Sequence, residues 1–145
     1  MILVSACLVG INCRYDGKGC KNENIITLVS RNKAIPVCPE QLGELPTPRK
    51  PAEIVNGDGY DVLIGLARVI NTKGVDVSDN FILGAQKVLR IAQILKVEEV
   101  FFKSKSPSCG CKRIYNGAFN GKLKEEVGVC SALLIKNGIT VNSIE

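Results

Sequence analysis

The chain has 145 residues, enough for one domain that buries about two-thirds of the surface its unfolded form exposes, so it needs neither disulfides nor a metal merely to fold. Apolar residues make up 46%, yet no unbroken apolar run approaches the roughly 20 residues that cross a bilayer, and "MILVSACLVG" lacks the basic flank of a signal peptide; a soluble cytoplasmic protein with no membrane partner is expected. The formal charge of +5 is scattered in twos and threes and aromatics are only 5%, a poor supply for stacking single strands, so nucleic acid is not the expected partner.

The first apolar run, Ile2 to Leu8, is too short for a helix and is followed by Gly10, which predicts a buried strand and then a loop turning at Asp16-Gly17. In residues 22–30, Ile25, Leu28 and Val29 recur at helical spacing behind an asparagine cap. "AIPVCPE" (34–40) predicts a second short strand stopped by Pro39. Residues 41–59, with Pro46, Pro48 and Pro51, are expected as an ordered loop, and residues 60–74 as a hairpin or irregular strand. Ser78 is the expected cap of a long helix that places Phe81, Ile82, Ala85, Val88, Leu89 and Ala92 on one face. "VEEVFFK" (97–103) predicts the next strand. A cysteine turn follows, then a hairpin-like "RIYNGAFNGK" (113–122), a helix over "EVGVCSALLIKNG" (126–138) and a last strand "ITVNSI" (139–144). This order predicts an α/β fold: one three-layer domain over residues 1–145 with a mostly parallel sheet of about four strands, Rossmann-like or flavodoxin-like.

Seven cysteines and no histidine narrow the chemistry. An odd count in a reducing compartment speaks against a disulfide framework. Cys7, Cys38 and Cys109 each follow a predicted strand, and the carboxyl ends of a parallel sheet share one edge, where ligands bind. Each also sits beside a glycine or proline: "CLVG", "CPE" and "SPSCG". A lone cysteine is as often a small apolar filler, which suits Cys130 in "VGVCSALL" and would suit Cys7 taken alone. Zinc prefers four ligands in close pairs, whereas these spacings are wide and neither Cys7/Cys13 nor Cys109/Cys111 is knuckle-spaced. Three soft thiolates from three strand ends better suit an iron-sulfur cluster with one iron left open.

The segments "SACLVGINCRYDG", "VCPEQLGELPTPRKPAEI" and "KSKSPSCG", in this order and with the tail "GVCSALLIKNGITV", resemble a bacterial family long labelled a domain of unknown function, which includes the thiouracil desulfidases. The likeness covers nearly the whole chain. It implies an oxygen-sensitive 4Fe-4S cluster held by three cysteines, and removal of sulfur from a small thiolated nucleobase or related thioamide without net redox change. Carried over motif by motif, the ligands are Cys7, Cys38 and Cys109. Cys13 stands where the family pattern has an aliphatic residue, and Cys20, Cys111 and Cys130 lie outside the motifs, although Cys111 competes with Cys109 by proximity.

Beside an opened iron, a carboxylate activates water or carries protons, and Glu40, two residues after Cys38, is held close by the chain. Ser106 is the second catalytic candidate, against a turn-forming role before Pro107. Arg14, Asp16 and Arg49 either orient substrate or pair with each other and fix the loops, with the structural role favoured for "RYDG". Two rival functions remain: a non-catalytic metal or iron-sulfur binding module, and an RNA-directed enzyme for thiolated tRNA bases that would draw on the positive charge.

Overall fold

A computed structural model describes residues 1–145. The elements run β1 (Ile2–Ser5), α1 (Glu23–Ser30), β2 (Ala34–Val37), α2 (Pro39–Leu42), β3 (Ala52–Val55), α3 (Gly59–Leu63), β4 (Arg68–Asn71), α4 (Ser78–Leu95), β5 (Glu99–Lys103), β6 (Ile114–Tyr115), β7 (Leu123–Lys124), α5 (Val129–Lys136) and β8 (Thr140–Ile144). Four of the strands form one sheet in the order β2-β1-β5-β8, every pair parallel. The expected α/β fold with a parallel sheet of four strands is what the chain adopts.

Strand side chains alternate between faces, and both faces of this sheet are covered. Leu3 belongs to a core of 20 buried residues with Phe81 and Val88 of α4, Leu134 of α5, Val100 and Phe102. Its neighbour Val4 belongs instead to a group of seven with Ile25 of α1. One helix layer therefore lies on each side of the sheet. The chain leaves β1 in one direction to β2 and returns to its other side as β5, so the strand order reverses between β1 and β5. At such a switch point the loops after adjacent strands diverge and open a crevice. The Ser5 hydroxyl bridges it by accepting the Lys103 N–H at 2.9 Å.

Three expectations need correction. Residues 41–59 are not all loop: Cys38 caps the short helix α2, Pro39 is its first residue, and β3 lies at Ala52–Val55. Pro39 ends β2 and also starts a helix, because its fixed φ suits the first helical position and its missing N–H would have no partner there. Residues 60–74 hold only one strand of the antiparallel pair β3–β4, with α3 inserted between the two behind a capping box of Asp58 and Asp61. That cap straddles the border between the expected loop 41–59 and the expected segment 60–74. Ser78 is not the cap of α4: it is fully buried, and its hydroxyl accepts the Val69 N–H at 2.7 Å, while Asp76 accepts the Ser78 N–H at 2.9 Å. The hairpin-like segment expected at 113–122 holds β6 and the turn of an antiparallel pair whose second strand, β7, lies just beyond it at Leu123–Lys124.

Close backbone packing sets the position of α2. A Cβ on Gly84 of α4 would overlap the Pro39 carbonyl, and one on Gly43 would overlap the carbonyl of Asn80, whose side chain in turn donates to the Gly43 carbonyl at 2.9 Å. Two glycines thus let α2 lie directly on α4.

Candidate functional site

Each sheet strand at the switch point ends in a structure that turns a cysteine toward the crevice. After β1 the chain coils into a 3-10 turn, Ala6–Val9, and Gly10, at φ +86, reverses it. The Cys7 carbonyl accepts the Cys20 N–H at 2.7 Å, which folds the following loop back over the strand end and brings Cys13 with it. After β2, Cys38 caps α2 and Glu40 occupies that helix's first turn.

After β5 the chain makes the turn that carries Cys109. The Ser106 hydroxyl oxygen accepts the N–H groups of Ser108 (3.0 Å) and Cys109 (2.9 Å), and the Ser131 hydroxyl donates to the Cys109 carbonyl at 2.7 Å. The first N–H groups of a helix lack partners within it. In α5 they bind this turn: Val129 donates to the Pro107 carbonyl (2.8 Å), and Cys130 and Ser131 donate to the Ser108 carbonyl (3.0 and 3.1 Å). Gly128 permits the approach, since a Cβ there would come within 2.6 Å of both carbonyl oxygens.

These ends enclose a cavity of about 520 Å³ lined by Cys7, Cys38, Cys109, Glu40 and Ser106, the five residues singled out from the sequence, and also by Cys13 and Cys20. Cys7 and Cys109 are each 7% exposed and Cys13 only 2%, so the thiols lie in the wall rather than on the surface. Cys13 was not expected here. Its thiol is within hydrogen-bonding reach of both Cys7 and Cys38, and the Cys38 thiol approaches the Cys13 carbonyl at 3.8 Å. Only the return of the 10–20 loop places it there, which sequence spacing could not show.

Crowding and burial set the thiols' acidity. The Cys38 thiol is raised well above the usual range, first by its hydrogen bond with Cys13 and then by burial. Cys109 is raised by burial, then by the charges of Cys130 and Cys38, with the Ser5 hydroxyl acting in the opposite direction. For Cys13 the hydrogen bond with Cys38 lowers the value, but the bond with Cys7, burial and the Cys7 charge outweigh it and push the thiol up to about 11.

Glu40 is not a solvated loop residue. Its Oε1 pairs with Nε of Arg49 at 3.2 Å, and the Arg49 side chain is only 7% exposed. The same guanidinium donates to the carbonyls of Cys13 (3.0 Å) and Pro46 (3.2 Å), so it ties the Cys13 loop to the segment after α2. Arg14 and Asp16 do not pair with it: Arg14 lies over the Tyr15 ring, 5.9 Å from its centroid, and Asp16 accepts the Lys18 N–H at 3.0 Å. Cys111 is outside the cavity lining, its thiol toward Ser143 of β8, and Cys130 is fully buried in the main core.

No three Cys, His, Asp or Glu side chains converge so as to hold a single metal ion. In a cluster, by contrast, each thiolate binds a different iron, so its donors need not close on one point. The all-sulfur donor set suits iron and sulfide better than zinc.

The family described as 2-thiouracil desulfurase matches residues 2–145. An uncharacterized protein of Bacillus subtilis (strain 168), YbbK, is 48% identical over 143 residues, which is 99% of this chain and 95% of that one. The solved structure of the [4Fe-4S]-dependent thiouracil desulfidase TudS superposes with a TM-score of 0.87 at 38% identity, covering 98% of this chain and 89% of that one. No helix of the chain is long and apolar enough to cross a membrane.

Proposed function

The chain belongs to the 2-thiouracil desulfurase family, and from that membership we propose that it hydrolyses a small thiolated base such as 2-thiouracil, releasing sulfide, with a 4Fe-4S cluster held by Cys7, Cys38 and Cys109. The observation that carries this reading is the opening of all three thiols, with Glu40 and Ser106, into one cavity at the switch point of the sheet. Similarity to a cluster-dependent desulfidase over nearly the whole chain supports it. Residues 1–145 act as one unit in this reading, and a reducing compartment, the cytoplasm, suits its thiols.

When bound, the cluster supplies a Lewis-acidic iron with affinity for the thiocarbonyl sulfur. The rest falls to the chain. Overall, the C=S carbon gains the oxygen of water and loses sulfur as hydrogen sulfide, so protons move and no electrons do. Glu40, aimed by Arg49, takes a proton from the water and returns one to the departing sulfur. Ser106 accepts two backbone N–H groups with its oxygen and retains its own hydrogen, which it donates to a heteroatom of the substrate ring. A carboxylate held in the cavity wall by Arg49 favours this reading over a non-catalytic cluster module.

The test is anaerobic reconstitution with iron and sulfide, followed by iron per chain, visible absorption and sulfide release from 2-thiouracil. Serine replacement of Cys7, Cys38 or Cys109 should each abolish the absorption, whereas Cys111→Ser should keep it. A chain fully loaded with iron that releases no sulfide from any thiolated base would favour the non-catalytic module.

A further inference from the structure

The chain has only three tyrosines, four phenylalanines and no tryptophan. Of the four aromatics that are exposed, Tyr15, Tyr115 and Phe119 line the cavity and only Tyr60 lies elsewhere. Tyr15 already has Arg14 over its ring.

Phe119 is the unusual member. It sits in the loop between β6 and β7, 41% exposed, with φ at +55. A bulky side chain in the left-handed region is strained, and an exposed phenyl ring gains nothing from burial. Such strain persists where the surrounding structure holds it, and here the surroundings are built to do so. Oε1 of Glu53, a cavity-lining residue of β3, accepts the N–H groups of both Gly117 (2.9 Å) and Phe119 (3.3 Å). Gly117, at φ +89, lies so close to the Ile54 carbonyl that a Cβ would overlap it. Asn116 and Asn120 accept the N–H groups of Ala118 and Lys122 at 2.9 and 3.0 Å, which fixes both sides of the apex. The loop is fastened to β3 with its ring at the cavity.

We propose that Phe119 is a substrate-binding residue whose ring stacks on the flat heterocycle, so that the site prefers heteroaromatic thiocarbonyls to saturated or open-chain thioamides. A planar π face packs on any planar ring and excludes water on that side without reading its hydrogen-bonding edge, which stays free for Ser106. This rests on the reading of the substrate as a thiolated base.

The test compares Phe119→Asn and Phe119→Tyr with the wild type on 2-thiouracil and on its saturated analogue, dihydro-2-thiouracil, by steady-state sulfide release and by calorimetric binding. Asparagine tolerates a positive φ, so it removes the ring while favouring the loop conformation, and a thermal melt checks that the fold is kept. In Phe119→Asn, KM and Kd for 2-thiouracil should rise about 5- to 150-fold, the range for losing a base–aromatic stack, with kcat changed less. The dihydro analogue should be affected less than threefold, and Phe119→Tyr should stay near wild type. Unchanged 2-thiouracil binding in Phe119→Asn, equal losses on both compounds, or a Phe119→Tyr as weak as Phe119→Asn would each overturn stacking. If the loaded wild type binds 2-thiouracil without turnover, the desulfuration reading fails and the Kd ratio still decides stacking. If it neither binds nor turns over, both fail.

Discussion

Ser106 accepts the amides of Ser108 and Cys109 through its oxygen, so its two expected roles, turn former and catalytic partner, use different atoms of one hydroxyl. Removing that oxygen leaves two N–H groups of a largely buried turn without partners, a loss of about 1–3 kcal/mol each where water cannot replace it. Ser106→Ala should therefore loosen Cys109 as well as slow turnover, and iron per chain after anaerobic desalting should fall; Ser106→Thr, which keeps a hydroxyl, should retain more iron. Full iron in Ser106→Ala would show that α5 alone holds the turn. Glu40 behaves differently because it caps nothing and its partner is the Arg49 side chain. Glu40→Gln is nearly isosteric and should keep the cluster, while sulfide release at matched iron content should fall by about 10²-fold, the lower end for losing a general acid or base. Turnover at the wild-type rate would remove Glu40 from the mechanism.

Helix α2 has only four residues, yet it carries Glu40 and is capped by Cys38, so its position on α4 sets two residues of the proposed site. By propensity alone, Gly84→Ala inside α4 should stabilise the protein by about 1 kcal/mol. The contact with the Pro39 carbonyl reverses that expectation, because backbone has to move to admit the methyl, and overpacking of this kind costs about 1–3 kcal/mol. Gly84→Ala should thus lower the melting temperature and also the iron bound per chain, since Pro39 is displaced next to Cys38. A variant melting above wild type with full iron would mean that α2 yields without cost. The same contact marks where sequence reading stops. The apolar face of α4 was legible as Phe81, Ala85, Val88 and Ala92, all buried, because side chains repeat at helical spacing. Gly84 was silent because its contribution is the absence of a side chain. β3 escaped notice for a related reason: four residues between Pro51 and Asn56 are too short for a periodic pattern, and their partner β4 comes after an inserted helix.

Across the whole molecule, the reversal of strand order between β1 and β5 brings Cys7, Cys38 and Cys109 to one edge. That much was legible because parallel strands put their carboxyl ends together whatever the intervening chain does. The arrival of Cys13 and the pairing of Glu40 with Arg49 were not, since both depend on loops closed by backbone hydrogen bonds rather than on strand order. The topology also predicts how metal removal acts. Small metal-dependent domains unfold without their ion because the site replaces a core. Here 20 residues are buried in one core cluster under α4 and α5 and seven in another under α1, so the sheet does not depend on the site to assemble. The chelated, iron-free chain should keep the far-ultraviolet circular dichroism of the loaded protein. Loading should nevertheless raise the melting temperature, because a group that binds only the folded chain stabilises it by mass action, and the proposed cluster would tie three strand ends. A gain of about 2–3 kcal/mol corresponds to a shift of about 5–10 °C for a chain of this size. Anaerobic melts of loaded and chelated protein, with the Cys38→Ser variant as control, measure this directly. The control should melt at the same temperature whether or not iron and sulfide are supplied. An unfolded chelated chain would show that the two cores do not suffice, and a loaded protein that melts no higher than the chelated one would show that the three thiols do not share one cluster.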